Sequence, residues 1–115
     1  MAIYVRMNQA DTLISRINKK IDKGEISTWA YDNEGDYTHL PVQWINEAWI
    51  TYKGTMSHNK YAVFGIIPRR QKPLSKTVYA VYHGRFTELL LKHFDDEIEE
   101  VVTTASLIKG IDVID

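Results

Sequence analysis

The stretch Ala48-Trp-Ile-Thr-Tyr-Lys-Gly-Thr-Met-Ser-His-Asn-Lys-Tyr-Ala-Val-Phe-Gly-Ile-Ile67 decides the fold. Ala48 to Lys53 and Lys60 to Ile67 are rich in β-branched and aromatic residues, and a polar loop, Gly54 to Asn59, separates them. They read as two strands of an antiparallel hairpin. Pro68 has no backbone N–H to give to a ladder and ends the second strand.

Helical periodicity lies on both sides of this hairpin. Upstream, Ala10, Leu13, Ile14, Ile17 and Ile21 form one narrow apolar stripe. Asn8 is the expected cap of that helix, and Asp11 places negative charge near its positive end. Lys19, Lys20 and Lys23 suit the opposite end, and Gly24 suits a left-handed stop. Downstream, Ser75 is the expected cap of a second helix that runs to about Phe94. Strands are expected at the start of the chain, where Ile3, Val5 and Met7 alternate with Tyr4 and Arg6, at Ile26 to Tyr31, and at Ile98 to Thr104. Tyr37 to Trp44 fits either a helical turn opened by Pro41 or an edge strand.

The resulting order is β-α-β-β-β-α-β, an α+β fold with a mostly antiparallel sheet and two helices on one face. It resembles the ferredoxin-like family of folds with an extra hairpin, a likeness of element order that carries no function. Residues 1–105 are expected to form a single α+β domain. Residues 106–115 are expected to be a loose C-terminal tail, with Ile111, Val113 and Ile114 able to pair at a sheet edge as a further strand.

Composition bounds the function. With 115 residues, 44% of them hydrophobic, the chain can bury enough surface to fold alone. Lys plus Arg total 14 against 15 for Asp plus Glu, so there is no broad positive field to hold nucleic acid non-specifically. The absence of cysteine removes disulfides, thiolate metal sites and a cysteine nucleophile, and suits a reducing, cytoplasmic interior. The opening residues do not read as a signal peptide, and the longest apolar run, Ala62 to Pro68, is too short to span a bilayer. No membrane contact and no cofactor are implied.

Polar chemistry concentrates in Trp29-Ala-Tyr-Asp-Asn-Glu-Gly-Asp-Tyr-Thr-His39. Asp32, Glu34 and Asp36 alternate as calcium ligands do, but glycine falls at the fourth position and Gln43 stands where a bidentate glutamate belongs. The turn therefore reads as an acidic hairpin tip held by Asx-turn hydrogen bonds, with no metal. Trp29, Tyr31, Asp32, Glu34, Asp36, Tyr37 and His39 are the expected binding surface, since acidic groups with aromatic anchors attract and hold basic partners.

On a wheel of about 100° per residue, the second helix places Val78, Tyr79, Tyr82, His83, Phe86, Leu89, Leu90, His93 and Phe94 on one broad apolar stripe. His93 falls inside it and His83 at its rim. Each histidine reads either as a buried anchor or as a general acid or base in a cleft, with Arg85 and Glu88 as its weak companions. Residues two apart on a helix diverge, so His83 and Arg85 do not converge on one phosphate. On the opposite side Ala80, Gly84, Thr87 and Leu91 form a ridge that fits the chain's own tail or the axis of a homodimer.

The expected function is a non-catalytic protein-binding or regulatory module, toxin-neutralising in one version, with another protein as partner and a basic one preferred. It should hold no pocket that gathers side chains of opposed acid–base role. The alternatives are a small hydrolase or nuclease using His83 or His93 in a helix–sheet cleft, and an RNA-contacting domain using Arg69, Arg70 and Lys72.

Overall fold

A computed structural model describes residues 2–70 and 72–112. Its strands are β1 (Ile3–Arg6), β2 (Trp29–Tyr31), β3 (Tyr37–His39), β4 (Ala48–Met56), β5 (Tyr61–Pro68) and β6 (Glu100–Thr103). Its helices are α1 (Leu13–Asp22), entered through a 3-10 turn at Ala10–Thr12, and α2 (Lys76–Phe94). All six strands form one sheet in the order β2-β3-β4-β5-β1-β6, antiparallel at every junction. The α+β class and the antiparallel sheet agree with the sequence reading. Tyr37–His39 adds a strand to the order expected, and Pro41 begins the turn that follows.

Strand alternation creates one core. Ile3, Val5, Ile50, Phe64 and Ile66 point to the helical side, where they join Leu13 and Ile17 of α1 and Tyr82, Phe86 and Leu90 of α2. Tyr37 ties the layers together. Its ring lies 5.6 Å from that of Phe86, and its hydroxyl donates to Asn18 Oδ1 of α1 at 2.6 Å.

The cap of the first helix differs from the local expectation. Asn8 Oδ1 accepts a hydrogen bond from Lys60 Nζ, and Gln9 turns the chain with φ 52°. Asn59, from the β4–β5 loop, accepts the Asp11 N–H at 2.8 Å and donates to the Asp11 carboxylate at 2.7 Å. That loop holds Ser57, His58 and Asn59 all at positive φ, a costly conformation for non-glycine residues that the Asn59 clamp helps to hold.

At the C-terminus, Asp112 is buried and closes the edge of β5 beyond the end of β1. Its Oδ1 accepts the Ile66 N–H and its Oδ2 the Ile108 N–H, each at 2.8 Å. Val113 and Ile114 lie outside the described residues. Among the described residues no helix is long and apolar enough to cross a membrane.

Candidate functional site

The β2–β3 hairpin ends in the acidic turn. Asp32 Oδ1 accepts the N–H groups of Glu34 and Asp36 at 2.9 and 3.0 Å. The Asp32 N–H donates to the Asp36 carbonyl, and the Gly35 N–H to the Asp32 carbonyl. Gly35 sits at φ 82°, a region that glycine enters without steric cost. The tip is thus fixed by its own backbone, with one Asp32 oxygen taken by two N–H groups.

Strand alternation divides the seven residues of the expected surface. Trp29, Tyr37 and His39 point into the core, where they are 2%, 0% and 5% exposed. The Trp29 ring stacks 4.6 Å from His39 and meets Tyr82 and Phe86 edge-on. For these three, ring burial is supplied by the chain itself. Tyr31 is 36% exposed, Asp32 and Glu34 face solvent, and Asp36 is half-buried. Sequence reasoning missed one member of this group, Asp22 at the end of α1. It accepts the Tyr31 hydroxyl at 2.8 Å, and this hydrogen bond, with burial and the Asp22 charge adding, raises the Tyr31 pKa. No local pattern announces that pair, because a helix and a strand from different layers make it.

His39 is a buried base. Its Nδ1–H donates to the Thr28 carbonyl at 3.1 Å, and burial lowers its pKa below 6.5, with Arg85 adding and Thr28 and Glu88 opposing. The unfolded chain therefore takes up the proton first. The contribution of a neutral His39 is complete above pH 6.5 and is lost as the pH falls from there through the lower folded value. We predict a melting temperature that drops on acidification from ~pH 7.5 to ~pH 5, and a shallower drop in His39→Gln. An identical drop in the variant would refute the role given to this ring.

The two helix histidines exchange the places that the wheel assigns them. His83 is 2% exposed, its Nδ1–H donates to the Tyr79 carbonyl at 2.8 Å, and its ring lies 4.5 Å from that of Tyr79. His93 is only half-buried. It opens into a cleft of about 150 Å³ between α2 and the α1–β2 connection, together with Glu25, Thr28, Arg85, Glu88 and Lys92. A wheel assumes even cover along a helix, whereas the sheet and the chain end cover only part of this one.

The cleft brings acids and bases together, contrary to the expectation for a purely binding protein. Its groups are nevertheless not arranged as an acid–base pair. Arg85 and Glu88 bond each other at 3.1 Å, and no carboxylate among the described residues hydrogen-bonds His93. Burial lowers the His93 pKa, helped by Lys20 and Lys92 against Glu25.

The basic loop is mostly committed within the fold. The Arg69 guanidinium lies 3.7 Å from the Trp49 ring and donates to the Ile45 carbonyl at 2.9 Å. Lys72 pairs with Glu47 at 3.0 Å, while Arg70 is exposed. On α2, Ala80, Gly84 and Leu91 are exposed, and Thr87 Oγ1 meets Thr103 Oγ1 of β6 at 3.3 Å. Set against known protein families, curated proteins and solved structures, the chain matches none.

Proposed function

We propose that the chain is a cytoplasmic, non-catalytic binding module, regulatory or toxin-neutralising, that holds a basic protein at the β2–β3 tip. The observation that carries this reading is the fixed, unpaired state of the tip. Asp22 holds the Tyr31 hydroxyl, Asp32, Glu34 and Asp36 follow Tyr31 in the turn, and none of the four makes an ion pair among the described residues. The other acidic run is partly spent, with Glu97 on Arg16 and Glu99 on Arg6. A turn already fixed by hydrogen bonds pays little ordering entropy when a partner arrives. Its carboxylates steer a basic partner, and Tyr31 offers a ring with a polar end.

Fluorescence anisotropy with labelled octalysine as probe tests the reading. Binding should weaken with salt, and the double variant Glu34→Gln, Asp36→Asn should weaken it roughly threefold to tenfold, since each exposed charge pair contributes up to ~1 kcal/mol. Unchanged affinity in that variant would count against the tip.

The grouping of His93 with Glu25, Arg85 and Glu88 favours one second reading, a small phosphodiesterase or hydrolase. Turnover of bis(p-nitrophenyl) phosphate that disappears in His93→Gln would establish it in place of the first.

A further inference from the structure

The sheet has two edges, and they are built differently. At one, β2 is three residues long and is followed by the charged tip, a short strand of the kind that discourages pairing. At the other, β6 reads Glu-Val-Val-Thr, with no proline and no lysine. Its register against β1 is continuous from Glu100 to Thr103, and just before it the Glu99 N–H also bonds the Arg6 carbonyl, a bulge confined to the start of the strand. Its hydrogen-bonding pattern fixes which groups face out. Met7 N–H bonds the Lys60 carbonyl, so the odd-numbered residues of β1 turn toward β5. Tyr4 and Arg6 then turn toward β6 opposite Val102 and Glu100, and Thr104 N–H bonds the Ala2 carbonyl. Val101 and Thr103 therefore direct their N–H and C=O groups outward, away from the sheet.

Apolar groups flank that row on both faces. Val102 is 43% exposed on the face away from the helices, and Leu91 is 52% exposed on α2. The Thr87–Thr103 contact places this side of α2 directly above β6, and a Cβ on Gly84 would meet nothing within 4 Å.

We propose that β6 pairs antiparallel with β6 of a second copy about a two-fold axis, doubling the sheet and setting the two α2 helices side by side. Charge favours a second copy as the occupant. Antiparallel pairing sets the Glu99–Glu100 end of each strand toward the Thr103–Thr104 end of the other, so the acids do not meet. The two helices then run antiparallel, which brings Lys76 at the start of one toward Asp95 and Asp96 beyond the end of the other. Such an interface is isologous, and each patch is its own complement. The dimer leaves both acidic tips free at its outer edges, so a bivalent or repetitive basic partner would gain avidity.

Sedimentation equilibrium of the full chain into the high micromolar range tests the proposal. The wild type should be a dimer, and exchange of the Val101 and Thr103 amides should slow as concentration rises. Val102→Lys, which sets like charges together near the axis, and Thr103→Pro, which removes an outward N–H, should each raise the dissociation constant by on the order of tenfold or more while keeping the far-ultraviolet spectrum of the fold. A wild type that stays monomeric overturns the proposal, and its edge then belongs to a foreign strand or to none. A dimer whose Val101 and Thr103 amides exchange rapidly at every concentration overturns it as well, and this readout does not depend on how either variant folds.

Discussion

Phe86→Ala should lower the stability of the chain by about 4 kcal/mol, the usual cost of emptying an aromatic core position, and the melting temperature by roughly 15 °C. Phe86 is fully buried, and its ring lies 4.9 Å from Phe64, 5.4 Å from Trp29 and 5.6 Å from Tyr37. It is the side chain through which α2 holds β2, β3 and β5 at once, so no single strand can collapse to fill the void. Phe86→Leu keeps most of the volume and should cost about 1.5 kcal/mol. Thermal and urea melts measure both. A loss below about 1 kcal/mol for the alanine variant would mean that α2 is not the keystone of the core.

The second large effect is expected from one methyl group. A Cβ on Gly65 would lie 2.2 Å from the Ile111 carbonyl oxygen and 2.8 Å from its carbon, both backbone atoms that cannot swing aside. Gly65→Ala should therefore cost about 3 kcal/mol, or release the C-terminal segment and expose the Ile66 amide that Asp112 covers. Gly84→Ala is the matched control, because nothing lies within 4 Å and the residue is mid-helix. There the same methyl should raise stability by about 0.5–1 kcal/mol, the ordinary gain in helix propensity. Equal effects at the two glycines, by melting and by amide exchange at Ile66, would contradict the docking of residues 108–112.

These pairs also show what the sequence could and could not reveal. Periodicity was sufficient for α1, α2 and the β4–β5 hairpin, because each buries a face whose spacing is local. Ser75 caps α2 as its type predicts, accepting the Val78 N–H at 3.1 Å. Gly24 stands at φ 78° just beyond α1. What stayed illegible is non-local. The side-chain hold on the 3-10 turn that leads into α1 comes from Asn59, 48 residues from its partner Asp11, and the hold on Tyr31 comes from Asp22 in the other layer. The tightest contact in the chain's glycines joins Gly65 to Ile111, a pairing that no composition or spacing rule anticipates.

The candidate site divides along the same line. Clustering of Asp32, Glu34 and Asp36 was visible because a turn is local, and so was the Asx geometry that holds it. Which aromatics would face outward depended on strand phase, and a strand of three residues, Trp29–Tyr31, is too short to fix phase from pattern alone. The exchange of places between His83 and His93 depended on which neighbours cover each end of α2.

The account rests most heavily on the tip as the contact surface. A ¹⁵N–¹H correlation titration with unlabelled octalysine tests it most directly, with the chain's second acidic run, Asp95 to Glu100, as an internal control. The account predicts saturable shifts at Asp22, Tyr31, Asp32, Glu34 and Asp36 that Tyr31→Ala weakens, with little response from Asp95 to Glu100. Shifts shared equally by both acidic runs, or concentrated at Glu25, Glu88 and His93 of the cleft, would contradict it.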